Sequence, residues 1–305
     1  MVISSDMAAA DRLISRLNEL DSVVDFTSTT SQLPQNVRDH ALRGVAIQGL
    51  STFELFVRER GLEWAAHMTN ARIPATRLAG GTVSYSDRIV KTLPRRFQDL
   101  EDKDRHQLVG DLSQTLASFS TGSLVGHDLF FAWTGSNIQT SDIDEMVKLL
   151  GAERGWGDLT AIWKIVDPRF PGNTSAESTM RSFASLRHTM AHNADAPVDP
   201  ISISAVTRSV RLIALLVDVC VSETIACVCR GEPIPSKVGS TITVRAIRRD
   251  GKNWPETAPG VQRARRRHAD LETALTEALL QARKHRGEIA VAYDGYEIVD
   301  WRAAV

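Results

Sequence analysis

The stretch Ser182-Phe-Ala-Ser-Leu-Arg-His-Thr-Met-Ala-His-Asn-Ala-Asp-Ala-Pro197 contains the end of a helix and the loop that follows it. Four apolar residues recur at steps of three and four, which predicts one buried helical stripe: Met180, Phe183, Leu186 and Met190. Thr174 and Glu177 have the spacing of a capping box, so we expect the helix to start near Ser175. The asparagine, aspartate and proline at the end of the stretch predict that the helix stops there.

The segments on both sides of this stretch also have helical patterns. Asp199-Pro200 combines an N-cap residue with a proline at the first helical position, which predicts a long apolar helix reaching about Cys229. Upstream, further helices are predicted over residues 6–20, 35–67, 87–98, 102–118, 142–150 and 162–166. Loops are predicted over 27–32, 70–85 and 120–139. The first three quarters of the chain are therefore expected to be all-helical.

The pattern changes after the glycine and two prolines that follow Arg230. Residues 241–248 alternate with the period of a strand, and residues 271–285 have the period of a helix. Two further strands, 288–293 and 296–301, flank Asp294-Gly295, which is a strong hairpin signal. We predict a mainly α protein, with a helical bundle over 1–232, a linker over 233–239 and a small C-terminal α+β domain over 240–305.

Composition limits the classes of function. Residues 236–305 hold 13 Lys+Arg against 9 Asp+Glu, whereas the rest of the chain holds 23 against 28. A basic tail on an acidic body is a weak indication of a polyanionic partner. Three cysteines without zinc-site spacing indicate reduced thiols. The N-terminus lacks the apolar run of a signal peptide, and the apolar stretch Val210–Val221 is too short to span a bilayer, so we expect a cytoplasmic protein without a membrane partner.

Arg187 and His192 are the first candidate site residues. A histidine moves protons near neutral pH, and an arginine is a fixed bidentate donor for phosphate. Together they could support cleavage of RNA by attack of a 2′-hydroxyl, which needs no metal or cofactor. The C-terminal end of a helix favours a protonated imidazole, as a general acid requires. Positions five apart diverge by about 140° around a helix, so fraying or a turn would have to bring the pair together.

The segment Arg187-His188-Thr-Met-Ala-His192 resembles the R-x4-6-H motif of the HEPN superfamily, whose second position is typically Asn, Asp or His. The context is similar as well, because the motif closes one helix and a proline-containing loop leads into a final apolar helix. An earlier segment, Ser51-Thr-Phe-Glu-Leu-Phe-Val57, resembles the Phe-Glu helix of the RiboL-PSP and related defence-associated HEPN groups. The resemblance covers roughly residues 35–230.

This resemblance implies an α-helical, metal-independent endoribonuclease of a toxin or antiviral defence system. It implies a homodimer in which two motifs form one composite active site, with an antitoxin or a defence-system protein as a possible partner. By the same comparison, Arg187 would stabilise the scissile phosphate and His192 would act as general acid or base. His188 would orient the site or contact RNA, Glu54 would support it from the earlier helix, and Asn193 would support it or cap the helix.

Other interpretations of the same residues stay open. Glu54 and Arg58 have the spacing of an ion pair within a helix. His188 and His192 have the spacing of two zinc ligands, with Asp195 as a third, although the glutamate of a metalloprotease motif is absent. A non-catalytic module that binds RNA, a nucleotide or a protein is a further alternative. Four tail arginines form a basic cluster, predicted to contact RNA phosphates, to dock on an acidic partner or to be solvated: Arg263, Arg265, Arg266 and Arg267.

Overall fold

The structure is a computed structural model that describes residues 8–30, 32–78, 81–167, 169–193, 195–234, 237–239, 241–261 and 263–303. The helices of these ranges are α1 Ala8–Thr29, α2 Gln35–Ala71, α3 Gly81–Gln98, α4 Asp102–Thr121, α5 Thr140–Leu149, α6 Trp156–Val166, α7 Ala176–His192, α8 Pro200–Cys229 and α9 Leu271–Ala282. The strands are β1 Thr243–Arg248, β2 Trp254–Thr257, β3 Arg266–His268, β4 Glu288–Asp294 and β5 Glu297–Ala303. The expected class, mainly helical with a small C-terminal mixed α/β part, is confirmed.

Helix α8 is the central element of the core. Its predicted start is confirmed, because the Asp199 carboxylate accepts hydrogen bonds from the backbone N–H groups of Ile201 and Ser202, and Pro200 needs no N–H partner at this position. The whole helix is long and apolar enough to cross a membrane, with a mean hydropathy of 2.2 over its most apolar window. However, 83% of that window is buried inside the protein, as in the core helix of a soluble protein.

Helix α2 packs along α8 and carries the other half of this core. Gly49 permits the close approach, since a Cβ atom at this position would lie 2.5 Å from Cγ1 of Val206. Helix α7 packs against both, and its predicted stripe is buried at Met180, Phe183 and Met190 and half-buried at Leu186.

The capping box at the start of α7 differs from the predicted one. The helix begins next to Ser175, as expected, but Ser175 itself is the N-cap residue, and its hydroxyl accepts from the N–H of Ser178 at 3.1 Å. The hydroxyl of Ser178 in turn accepts from the N–H of Ser175 at 3.1 Å. Thr174 and Glu177 do not form the cap, since two serines with the same three-residue spacing satisfy these donors one position later.

Several helix boundaries differ from the sequence prediction; α6, for example, starts at Trp156 and not at residue 162. Helix α1 continues to Thr29, through half of the Ser/Thr-rich segment predicted as a loop. The hydroxyls of Thr27 and Thr29 donate to the carbonyls of Val24 and Asp25, so both side chains are satisfied within the helix, and Thr27 is buried. Helix α3 starts at Gly81, inside the predicted loop over 70–85, of which residues 79 and 80 lie outside the described residues.

The tail forms a five-stranded mixed sheet in the order β3-β2-β1-β4-β5. The hairpin at Asp294-Gly295 is confirmed by the antiparallel pairing of β4 and β5, with Gly295 at a φ of 60°. Strands β1 and β2 pair around Asp250-Gly251, and β1 and β4 are parallel, with α9 on the connection between them. Strands β2 and β3 were not predicted, because they have only four and three residues and β2 contains Pro255.

Buried polar contacts attach the tail to the helical body. The indole N–H of Trp301 donates to Oδ2 of Asp218 at 2.9 Å, and Oδ1 of Asp218 lies 2.6 Å from Nε of Arg60. The hydroxyl of Tyr293 donates to the carbonyl of Val166 at 2.5 Å. Apolar side chains of β4 and β5 belong to the same core cluster as those of α2 and α8. The division at 233–239 stays a prediction, and its residues 235 and 236 lie outside the described part.

Candidate functional site

The C-terminal end of α7 is held on α2 by Arg43. Its guanidinium donates to three backbone carbonyls, those of Met190 at 3.3 Å, Asn193 at 2.7 Å and Ala196 at 3.1 Å. The last carbonyls of a helix lack partners within the helix and carry a partial negative charge, so a cation stabilises them. Arg43 therefore fixes both the helix end and the loop towards α8. Its sequence position, 150 residues before Asn193, gives no signal of this role.

Arg187 lies on the side of α7 that faces α2. The side chain is half-buried, and its Nε is fully buried without a hydrogen-bond acceptor among the described residues. Arg187 is close enough to Glu54 to stabilise the charge of that carboxylate. The arginine is thus placed beside an acidic group of α2, with donor capacity left over.

Glu54 is half-buried between α2 and the loop before α5. Its Oε1 accepts a hydrogen bond from the backbone N–H of Ile138 at 2.8 Å. Burial raises the pKa of Glu54, and the Ile138 N–H, then Arg58, then Arg187 oppose that shift without cancelling it. The sequence left open whether Glu54 supports the site or pairs with Arg58. In the structure the guanidinium of Arg58 lies over the ring of Trp133, 4.7 Å from its centroid, and its charge acts on Glu54 from there.

His188 and His192 stand together on an exposed face of α7. Their ring centroids are 4.6 Å apart, with the ring planes tilted by 47°. This contact follows from the regular helix, since residues four apart lie on one face, and α7 is helical through His192. The helix end does not fray or turn to bring His192 towards the arginine, and the two positions diverge by about 140°.

Asn193 ends the helix. Its backbone N–H donates to the carbonyl of Thr189 at 2.9 Å, and its side-chain oxygen accepts from the N–H of Asp195 at 3.1 Å. These contacts are those of a capping residue that also starts the following turn. The exposed side chain lies next to His192, so Asn193 remains at the border of the candidate site.

The basic cluster of the tail lies on the edge of the sheet. All four arginines are exposed, and Arg266 and Arg267 belong to the edge strand β3. Arg266 forms an ion pair with Glu277 of α9 at 2.5 Å, and the backbone N–H of Arg265 donates to the carbonyl of Glu256. The described contacts of the cluster are therefore made within the tail, and it stays a separate candidate from the α7 site.

The zinc alternative has no assembled ligand set in the described ranges. No group of three or more His, Cys, Asp or Glu side chains that could hold a metal ion is found among the residues from 8 to 303 that the structure describes. His188 and His192 are adjacent, but Asp195 does not form a group of three with them.

The comparisons with known proteins add nothing to this description: no family model, no curated protein and no solved structure matches the chain. The site is therefore interpreted from its own residues. Of the residues selected from the sequence, Arg187 lies near Glu54, and His188 contacts His192 on another face of α7, beside Asn193. The structure does not bring His192 to Arg187 within one copy. Sequence reasoning missed Arg43 and the contact between Arg58 and Trp133.

Proposed function

We propose that this protein is a metal-independent endoribonuclease with Arg187 and His192 as its site residues. The observation that carries the proposal is the state of Arg187, a half-buried cation whose Nε has no acceptor in the described part of the chain. A half-buried guanidinium has already lost part of its side-chain freedom, so its outer N–H groups can donate to a phosphate oxygen with little further ordering. The resemblance of the motif to HEPN ribonucleases supports the same assignment.

The proposed reaction uses these two groups, the RNA and water, which carries the proton that His192 does not. The ribose 2′-hydroxyl attacks the adjacent phosphorus, forming the O2′–P bond and breaking the bond from phosphorus to the 5′-oxygen. A base takes the proton of the 2′-hydroxyl, and an acid protonates the leaving 5′-oxygen. His192 serves one of these roles, Arg187 stabilises the charge on the phosphoryl oxygens, and the product carries a 2′,3′-cyclic phosphate.

A second copy of the chain completes the site in this proposal. On a regular helix His192 and Arg187 diverge by about 140°, so one α7 presents them in different directions. Two helix ends that meet across a two-fold axis would place the histidine of one copy beside the arginine of the other. His188, whose ring centroid lies 4.6 Å from that of His192, would restrict the orientation of that ring. Glu54 would in the same way limit the movement of Arg187.

The cell biology is proposed on the same basis. We place the protein in the cytoplasm, where RNA is the substrate, as a toxin or antiviral effector with an antitoxin or another defence protein as its regulator. The tail arginines 263, 265, 266 and 267 are exposed, which suits a contact with RNA outside the α7 site.

Cleavage of transfer RNA and total RNA in EDTA tests the proposal. Arg187→Ala and His192→Ala should each abolish cleavage while the urea midpoint stays near that of the wild type. Arg181→Ala is the matched control, because Arg181 lies on the same helix, is exposed and pairs only with Glu177 among described carboxylates. Cleavage that survives both site substitutions, or that requires a divalent metal, would overturn the mechanism.

The second candidate is a non-catalytic module in which Arg187 acts as an anion clamp. The angular separation of Arg187 and His192 within one copy favours it, because a clamp needs no histidine beside the arginine. Expression in cells separates the two candidates: an active ribonuclease arrests growth and a clamp does not. If His192→Ala arrests growth as strongly as the wild type does, that result would also argue against catalysis at this site.

A further inference from the structure

A cavity of about 350 Å³ lies between the middle of α2, the end of α3 and the loop that follows the short helical turn Asp128–Phe131. Its α2 wall consists of Leu55, Arg58, Glu59 and Leu62; Leu55 and Leu62 are each three or four residues from both Arg58 and Glu59, so the four line one helix face. Leu55 and Leu62 are 37% and 57% exposed. The wall thus offers apolar surface on both sides of a cation.

The arginines that line this cavity are not all neutralised by the carboxylates that line it. Two of its three carboxylates have an arginine partner within 4 Å, Glu59 with Arg12 at 2.9 Å and Asp99 with Arg95 at 3.4 Å, and Asp128 lies 3.0 Å from Nδ1 of His127. Arg58 and Arg96 have no ion pair of this length with any described carboxylate. Two guanidinium groups therefore keep most of their capacity to bind an anion.

Arg58 is held in place by an aromatic ring. Its guanidinium lies 4.7 Å from the centroid of Trp133, whose side chain is buried. A cation on an aromatic face is stabilised and ordered, and the outer N–H groups remain available for a ligand. Arg96 lies near Asp128, whose pKa is held below its usual value by His127 and then by Arg96, although burial opposes this.

The cavity adjoins the candidate site through α2. Arg58 follows Glu54 by four residues, a distance of about 6 Å along the helix axis. Glu54 is close enough to both Arg58 and Arg187 for their charges to lower its pKa, which places the two arginines in the same neighbourhood of α2. A chain of anionic groups bound at Arg187 could therefore continue over Glu54 to Arg58 and into the cavity.

We propose that this cavity is an RNA subsite that binds a phosphodiester neighbouring the scissile one, with Arg58 and Arg96 as its phosphate ligands. Leu55 and Leu62 contact the sugar and base of the attached nucleoside. The occupant is single-stranded RNA, because a flexible strand presents successive phosphates and unstacked bases to such a groove. This subsite rests on the proposed function, since it binds the substrate of the α7 site.

Salt-dependent binding of RNA to the full-length protein tests the subsite. The probe is a short fluorescein-labelled single-stranded RNA with 2′-O-methyl groups, which cannot undergo attack by a 2′-hydroxyl. Its fluorescence anisotropy gives the binding constant at several salt concentrations. Arg58→Gln and Arg96→Gln should each weaken binding and make the plot of log Kobs against log salt less steep by about 0.7, the contribution of one phosphate contact.

Two further variants separate the charges from the apolar wall. Leu62→Ala should weaken binding by the same factor at every salt concentration and leave the slope unchanged, because it removes no charge. Arg181→Gln, an exposed arginine paired with Glu177, is the charge-matched control and should keep the wild-type slope.

The outcomes for the two proposals differ. If Arg58→Gln and Arg96→Gln both keep the wild-type slope while Arg187→Gln reduces it, the subsite is wrong and the ribonuclease proposal stands. If the wild-type protein does not bind the probe and does not cleave RNA, both proposals are wrong. A reduced slope in Arg58→Gln and Arg96→Gln, with the control unchanged, supports the subsite.

Discussion

Replacing Asp218 by alanine removes the centre of the buried network that joins α2, α8 and β5. One oxygen of Asp218 lies 2.6 Å from Nε of Arg60, and the other accepts the indole N–H of Trp301 at 2.9 Å. Arg60 also contacts Glu63 at 2.8 Å and the hydroxyl of Ser222 at 2.7 Å. The side chains of Arg60 and Asp218 are 2% and 3% exposed, so water cannot replace the lost partner.

The expected cost follows from what the substitution leaves behind. Removing one member of a buried ion pair costs about 3–5 kcal/mol, because the other charge stays buried without its partner. Glu63 still pairs with Arg60 and lowers this cost, whereas the unpaired indole N–H of Trp301 adds about 1–3 kcal/mol. We therefore expect a loss of about 3–5 kcal/mol in the free energy of unfolding.

Urea unfolding followed by tryptophan fluorescence measures this loss. The double variant Arg60→Met/Asp218→Ala should lose less free energy of unfolding than the two single variants lose together, because the double variant leaves no buried cation. Asp102→Asn is the control, because its ion pair with Arg105 is exposed and worth less than about 1 kcal/mol. A loss below about 1 kcal/mol in Asp218→Ala, or simple additivity in the double variant, would refute the reasoning.

Two other substitutions test the helix end and a buried acid. In Arg43→Gln the shorter side chain cannot reach all three carbonyls at the end of α7, so the free energy of unfolding in urea should fall by about 1–3 kcal/mol. RNA cleavage should fall further than this loss of stability explains. Cleavage at the wild-type rate would show that the position of the helix end is not needed. Asp300 has its pKa raised to about 6, chiefly by burial, so the folded protein binds this proton more tightly than the unfolded chain. The stability linked to Asp300 is fully present below pH 4 and is lost as pH rises through 6, so the unfolding free energy of the wild type should fall relative to Asp300→Asn by about 2 kcal/mol between pH 4 and 7. An unchanged difference across that range would contradict this assignment.

Local signals predicted the elements that local chemistry determines. Asp199 and Pro200 marked the start of α8 because a cap and a proline act within one helical turn. The hairpin at Asp294-Gly295 was predictable for the same reason, since a two-residue turn fixes its own geometry. Strand β3 was not, because three residues rich in arginine have no strand period, and they become a strand only through pairing with β2.

Some features of the candidate site were likewise predictable from local sequence, and others were not. The motif Arg187 to His192 was found from its spacing, and so was its place at the end of a helix. Glu54 was selected only through the resemblance of its segment. Arg43 could not be found, since its contacts with the carbonyls at the end of α7 depend on how α2 packs against α7. At the end of α1 a local signal gave a wrong prediction. The Ser/Thr-rich composition predicted a loop, but the hydroxyls of Thr27 and Thr29 donate to carbonyls of the same helix, which continues through them.

The contact between Trp301 and Asp218 has a consequence for protein synthesis. Asp218 leaves the ribosome more than eighty residues before its indole partner Trp301. In the nascent chain α8 is therefore not packed against β5 until that strand has emerged. During that interval the apolar face of α8 that β5 later covers is open to chaperones. A message that ends before codon 301 should therefore yield a chain that is degraded, although every residue of the candidate site has been translated.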